Sequence, residues 1–170
     1  SHNFTLICTN FSYFDQTIPT GPKSFIKLIE LLEKHAKVTL LIVGRKRPVK
    51  LHFENVEVIT HQSFFKFFIT NMFFFQMQSA IIVDRAHILH GLLIKLLYRR
   101  PLIIRMLGRG RRLQSRRLLS LRNLLRFITK FIKSDLLIET IDGSYPLTDD
   151  FINTKKLHRR LNGVKPVRIV

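Results

Sequence analysis

Short apolar runs alternate with longer segments of helical periodicity along the chain, and this alternation limits the possible folds most. Six runs have the length and composition of buried strands: 4–9, 38–43, 56–59, 80–83, 101–107 and 135–139. Four segments between them place apolar residues at helical spacing: 24–35, 63–77, 88–98 and 111–133. Strands that are apolar on both faces are typical of a parallel sheet covered by helices on both sides. The sequence therefore predicts an α/β fold with a Rossmann-like parallel β-sheet.

The size of the chain favours a single domain. Its 170 residues are enough for one substantial core, and an apolar content of 46% excludes global disorder. We interpret residues 1–3 as the remnant of a tag and residues 4–164 as one Rossmann-like domain. Residues 165–170 are predicted to start a linker or the first strand of a following domain. The single cysteine, Cys8, excludes a disulfide framework and favours a reducing compartment.

Positive charge dominates the chain and is concentrated in its second half. The formal net charge is +18, and 14 of the 29 Lys and Arg residues lie between Asp84 and Asp135, where no acidic residue occurs. These cations are interleaved with Leu, Ile and Phe at folding periods, unlike the basic blocks of disordered arms. The charge is therefore expected to be held by a rigid scaffold that faces a polyanion. The candidates are a nucleotide-sugar phosphate, a membrane surface and nucleic acid.

Candidate binding residues follow the predicted strands, where open parallel sheets bind their ligands. A turn before the first helix, a polar turn after the fourth strand and a glycine–arginine turn after the fifth strand are each suited to an anion or a sugar hydroxyl. A tight turn or a solvated loop is the alternative interpretation in each case. The predicted binding residues are Thr20, Gly21, Arg85, His87, Arg105, Gly108 and Arg109.

Neither a metal centre nor a complete catalytic site is predicted. His87 and His90 are three residues apart and can share a helix face, but no further ligands lie at workable spacing for zinc. The chain has no Gly-x-Gly-x-x-Gly fingerprint after its first strand and no Walker lysine motif. It contains no recognisable nucleophile elbow. The sequence resembles a binding half more than a complete catalyst.

The helix predicted over 111–133 combines an apolar seam with a basic stripe. The seam consists of Leu118, Leu121, Leu125, Ile128 and Ile132. The residues of the stripe lie largely off the seam and are predicted to face an anionic membrane or another anion: Arg112, Arg116, Arg122, Arg126 and Lys130. The phenylalanine-dense segment at 63–77 has two interpretations. It is either buried core or an exposed patch that enters a membrane interface. It is too apolar for a surface that stacks nucleic-acid bases.

The order of these elements resembles the N-terminal domain of a GT-B glycosyltransferase of the large retaining family four. The resemblance depends on four landmarks that together span nearly the whole chain. They are the proline–glycine loop at 19–23 before a long helix, the strand and His-containing turn at 81–87, the proline-led strand and glycine turn at 101–108, and the Asn-Gly-Val turn at 162–164.

The resemblance implies the acceptor-binding domain of a hexosyltransferase. The nucleotide-sugar donor and the catalytic residues would belong mainly to a C-terminal domain, so this chain alone is expected to be inactive. The acceptor would be lipid-linked or a saccharide, and no metal or cofactor would be required. The protein would be cytoplasmic and peripheral on the cytoplasmic face of an anionic membrane. Two alternatives are both less favoured: a basic module that binds nucleic acid, and one that binds an acidic protein partner.

Overall fold

A single parallel sheet organises the protein. The structure is a computed structural model that describes residues 2–8, 23–44, 53–107, 116–141 and 152–161. In these ranges seven strands occur: β1 (Asn3–Cys8), β2 (Lys37–Val43), β3 (Val56–His61), β4 (Ala80–Asp84), β5 (Leu102–Leu107), β6 (Leu136–Ile141) and β7 (Leu157–Leu161). All neighbouring strands are parallel, in the order β3-β2-β1-β4-β5-β6-β7. The predicted α/β, Rossmann-like fold is confirmed.

Helices cover both faces of the sheet. Within the described ranges they are α1 (Lys23–Glu33), α2 (Phe64–Thr70), α3 (Met72–Gln76), α4 (Ile88–Tyr98) and α5 (Arg116–Phe131), together with a 3-10 turn at Arg85–His87. Residues of α2, α3, α4 and α5 share one apolar core with Ile7, Val83 and Ile104 of the strands. Ile29 of α1 packs with Leu6 and Ile82 in a second core. Since successive strand residues point to opposite faces, α1 lies on one face of the sheet and α2–α5 lie on the other.

The helix predicted over 63–77 is two helices, so that prediction was wrong in its continuity. Asn71 separates them with φ −128° and ψ 44°, outside the helical region. Its side-chain Nδ2 donates to the Phe67 carbonyl at 3.1 Å, and the Thr70 hydroxyl donates to the Lys66 carbonyl at 2.9 Å. Such side chains compete for the backbone groups that a continuous helix would use, and they favour a break.

Strand β7 was not predicted. It reads Leu-His-Arg-Arg-Leu, and it pairs with β6 from Leu157 opposite Leu137 to Leu161 opposite Ile141. Its composition is that of an edge strand, on which charged side chains discourage further pairing. At the other end of the chain, β1 begins at Asn3, whose backbone N–H donates to the Ser79 hydroxyl at 3.0 Å. Asn3 is therefore part of the sheet, although the predicted domain began at residue 4.

Asp135 joins three elements at the start of β6. Its Oδ2 accepts from the backbone N–H of Leu102 at 2.9 Å and from Lys95 of α4, while Oδ1 lies 2.8 Å from Lys155 Nζ. Burial alone would raise the pKa of this carboxyl, but the bonds from Lys155, Lys95 and Leu102 outweigh it and lower the pKa to about 2. The ionised carboxylate therefore stabilises the contact of α4, β5 and the segment that leads into β7.

The Asp135→Asn variant is expected to lose about 1–2 kcal/mol of unfolding free energy near neutral pH, because the amide cannot accept three charge-assisted bonds. The pKa of Asp135 is lower in the folded state, so this stabilisation is complete above the unfolded-state value of about 4. It is lost as the pH falls through about 2. Urea unfolding across this pH range measures the difference. The control is Glu57→Gln, which breaks an exposed 3.7 Å pair with Lys37 and should cost under about 0.5 kcal/mol. An Asp135→Asn deficit that does not shrink in acid would contradict the prediction.

Candidate functional site

The strand order reverses between β1 and β4, and this reversal fixes the place where the sheet can bind a ligand. Chain connections diverge from the carboxyl ends of these two adjacent strands and leave a crevice in sheets of this order. The 3-10 turn Arg85–His87 directly follows β4 and packs against β1, β4 and β5. The residues of this turn are therefore placed at the switch point of the sheet.

Asp84 ends β4 and shapes the turn. Its carboxylate accepts a hydrogen bond from the backbone N–H of Ala86 at 3.0 Å, which caps the turn. Burial raises the pKa of Asp84 to about 6, although the N–H groups of Ala86 and His87 and the charge of Arg105 act in the opposite direction. Arg105 is the register neighbour of Asp84 on β5. The carboxylate that ends β4 therefore lies next to a guanidinium within β5.

His87, in the turn that Asp84 caps, forms a pair with His90. Their Nδ1 atoms lie 2.8 Å apart, so one ring donates a hydrogen bond to the other. The side chain of His87 is only 3% exposed, and its Nε2 atom is buried and finds no hydrogen-bond partner among the described residues. Burial, followed by the proximity of His90, lowers the pKa of His87 to about 4, and burial also lowers the pKa of His90. Both rings are thus neutral near pH 7.

Two phenylalanines hold the ring of His90. Phe64 stacks on it with a centroid distance of 4.1 Å and an interplanar angle of 17°. Phe65 meets it edge-on at 5.6 Å and 86°. Because both come from α2, the contact fixes His90 independently of the helix that carries it.

The structure brings part of the predicted binding set together. His87 lies at the switch point, and the backbone of Arg85 forms the same turn, while the side chain of Arg85 is outside the described part. Arg105 lies within β5 rather than in a turn after it, is 7% exposed and interacts within the chain. The other four predicted binding residues fall outside the described residues: Thr20, Gly21, Gly108 and Arg109.

The predicted basic stripe is described in part. Arg126 and Lys130 lie on α5 and are exposed. Arg116 and Arg122 also belong to α5, but their side chains are outside the described part, and Arg112 lies outside it altogether. The predicted apolar seam holds where it is described, since Leu125 is buried and Ile128 and Ile132 pack against the core.

Sequence reasoning did not identify Asp84 and His90 as members of the site. The three-residue spacing of His87 and His90 is the sequence signal for their contact, although the same spacing also suits two metal ligands. In the described part of the chain, no group of three His, Cys, Asp or Glu side chains is placed to hold a metal ion.

The helices α2–α5 expose an extensive apolar surface away from the sheet. Of the phenylalanine run, Phe64, Phe67 and Phe75 are buried in the core, while Phe65 and Phe73 are exposed. The run is therefore divided between buried core and exposed surface; entry of the exposed members into a membrane interface stays a prediction. We call the exposed set the outer apolar surface; it consists of Phe65, Ile69, Met72, Phe73, Met77, Leu89, Leu96, Leu97, Leu124, Phe127 and Phe131.

Within the described ranges, the helices that carry the outer apolar surface bear positive and no negative side chains. Asp84 is the single acidic residue between Glu57 and Asp135, so helices α2–α5 carry no carboxylate. Their exposed cations and those next to them include Lys66, Arg99, Arg126, Lys130 and Lys133. None of the described helices is both long enough and apolar enough to cross a bilayer.

A second concave feature lies at the opposite edge of the sheet, at the amino ends of β2 and β3. It is a cavity of about 640 Å³ lined by Glu33, Glu54 and Glu57. Glu33 accepts a long hydrogen bond from the Asn55 N–H, and Glu57 pairs with Lys37. These contacts account for two of the three carboxylates, and the cavity is remote from the switch point.

No protein-family model, curated protein or solved structure matches the chain.

Proposed function

We propose that the chain is the acceptor-binding domain of a GT-B glycosyltransferase that works on the surface of an anionic membrane. The observation that carries the proposal is the position of the His87 site, at the switch point of a seven-stranded parallel sheet whose adjoining helical layer is apolar and basic outside. In this proposal the nucleotide-sugar donor is held mainly by a second domain. The acceptor, lipid-linked or saccharide, reaches the carboxyl ends of β1 and β4.

The site suits recognition of an acceptor better than binding of a bare phosphate. The two imidazoles are neutral near pH 7, and Arg105, a buried cation within the neighbouring strand β5, lies beside the Asp84 carboxylate. The electrostatic field that would attract a phosphate is therefore offset locally. Hydrogen-bonding groups of low net charge are what a polar, uncharged acceptor needs.

Two contributions to the free energy of membrane binding support the membrane part of the proposal. Exposed phenylalanines of the outer apolar surface gain free energy when they leave water, at about 25 cal/mol per Å² of apolar area. Each nearby Lys or Arg adds about 1 kcal/mol of attraction to an anionic leaflet. The two contributions act on the same face of the molecule, so they reinforce each other.

Sugar transfer by the full-length protein tests the enzymatic part. We expect release of nucleoside diphosphate from one member of a panel of nucleotide sugars, and retention at the anomeric carbon of the product. His87→Ala should reduce the rate, whereas Leu31→Ala, on the far face of the sheet, should not. Absence of transfer with every donor, combined with tight, salt-sensitive binding of nucleic acid, would favour the alternative of a basic nucleic-acid module.

Vesicle flotation tests the membrane part. The protein should float with vesicles that contain phosphatidylglycerol and remain largely unbound with pure phosphatidylcholine. Added salt should weaken binding to the anionic vesicles, because it screens the basic residues around the outer apolar surface. Equal binding to both vesicle types would exclude the electrostatic contribution to membrane binding. Capture of an acidic protein in place of vesicles would favour the alternative of a module that binds an acidic protein partner.

A further inference from the structure

We infer that His90 is a positioning residue: through the Nδ1–Nδ1 hydrogen bond it orients His87 so that the buried Nε2 of His87 binds a hydroxyl group of an uncharged ligand. This inference rests on the proposed function, because it names the chemical group that the acceptor presents at the switch point.

The pair leaves one nitrogen without a partner in a place where a partner is expected. His87 is almost completely buried, and buried polar atoms in proteins are nearly always hydrogen-bonded. Within the described ranges, Nε2 of His87 has no such bond, although Nδ1 of the same ring is bonded to His90. His87 also lies where sheets of this topology bind their ligands. The unsatisfied nitrogen therefore indicates a contact that a ligand completes.

The chemistry of the pair selects a hydroxyl group. Two neutral rings share one proton in the Nδ1–Nδ1 bond, and this proton belongs either to His87 or to His90. In the first case Nε2 of His87 accepts a hydrogen bond, and in the second case it donates one. A hydroxyl can satisfy both forms, whereas phosphate oxygens at neutral pH chiefly accept and an ammonium group only donates. The lowered pKa values of both rings also leave no positive charge for an anion.

His90 is fixed before a ligand arrives. Phe64 stacks flat on its ring, and Phe65 packs against its edge, so its position does not depend on His87. A ring that is held from outside and bonded through Nδ1 restricts the rotation of its partner. The role assigned to His90 is therefore orientation and not contact with the ligand.

Two sources could supply the hydroxyl, and they are chemically equivalent at Nε2. One is a soluble saccharide, and the other is a hydroxyl at the lipid surface, such as that of diacylglycerol. Three probes separate the possibilities: methyl glucoside in solution, diacylglycerol in phosphatidylcholine vesicles, and inorganic phosphate. The readout is the ¹⁵N shift of the His87 ring nitrogens, which reports protonation and hydrogen bonding at each nitrogen directly.

Two variants of His90 give opposite predictions for a positioning role and for a packing role. His90→Phe keeps a ring against Phe64 but removes the bond to His87. His90→Asn loses the ring but keeps a group near the Nδ1 position that can donate or accept. We expect one of the two hydroxyl probes to shift the His87 Nε2 signal in the wild type and in His90→Asn. In His90→Phe the apparent affinity should fall about five- to tenfold, which is the loss of about one hydrogen bond.

The inference is overturned if phosphate shifts the His87 signal while both hydroxyl probes fail. It is also overturned if His90→Phe behaves as the wild type and His90→Asn is the damaged variant, since packing would then be the role of His90. Sugar transfer, measured in parallel, keeps the two proposals apart. Transfer without any response of His87 defeats this inference alone, and a responsive His87 without transfer defeats the glycosyltransferase assignment alone.

Discussion

Replacing Phe65 and Phe73 together by serine is expected to lower the partition of the protein onto anionic vesicles by roughly 30- to 150-fold. Both side chains are more than half exposed, Phe73 at 75%, and both belong to the outer apolar surface. Partial insertion of each ring contributes about 1–1.5 kcal/mol, about half of the free energy of complete burial. Flotation at several lipid concentrations measures the partition coefficient. Serine and phenylalanine have similar helix propensities, so α2 and α3 should survive the change.

Leu31→Ser is the matched control for this double variant. Leu31 is 51% exposed on α1, which covers the opposite face of the sheet, so its replacement should change partition less than about twofold. Circular dichroism and the unfolding midpoint establish that both variants remain folded. If Leu31→Ser weakens binding as much as the double variant, the surface on α2–α5 is not the one that meets the lipid.

The strands and most helices could be predicted from the sequence because burial imposes a clear pattern on them. β2, for example, reads Lys-Val-Thr-Leu-Leu-Ile-Val and is buried from Val38 to Val43, and α4 has the bounds that its periodicity predicts. The pattern fails where apolar side chains do not decide the structure. Asn71 breaks a helix through its own hydrogen bonds, and β7 is stabilised by pairing with β6 although its composition is polar.

The candidate site could be located but not assembled from the sequence. The rule that open parallel sheets bind ligands beyond the carboxyl ends of their strands is enough to single out His87. This rule needs only the order of the strands along the chain. The bond between His87 and His90 depends on the 3-10 turn and on the stacking of Phe64 against His90. Both depend on three-dimensional geometry that no sequence pattern reveals. Arg105 illustrates the same limit, because the apolar run around it does not reveal that its charge is buried beside Asp84.

The phenylalanine run also shows why periodicity alone left two interpretations open. Neighbouring residues of one short helix serve opposite purposes, since Phe64 is buried and Phe65 is exposed. In a helix that is apolar on all sides, the inward and outward faces carry the same residue types. Only the position of the sheet decides which ring enters the core, and that position is set by contacts distant in sequence.

Gly91→Val is expected to lower the free energy of unfolding by about 2–3 kcal/mol, because α4 lies too close to the sheet for a larger residue. A Cβ atom on Gly91 would lie 2.7 Å from Cδ1 of Leu102 and 3.0 Å from Cγ1 of Val83. Both neighbours are fully buried in β5 and β4, so neither has room to move away. Urea unfolding measures the loss.

The same variant should also weaken the site, because α4 starts directly after His87 and carries His90. When valine pushes α4 away from β4 and β5, the two rings move relative to the stack with Phe64, and the Nδ1–Nδ1 bond is lengthened. Leu97→Val introduces the same residue into the same helix at an exposed position and should cost under about 0.5 kcal/mol. If Gly91→Val does not fold, Gly91→Ala supplies a milder form of the same overlap, offset by about 1 kcal/mol of helix propensity. Full stability of both Gly91 variants would mean that α4 is not held against the sheet at this distance, and that the position of the histidine pair has another origin.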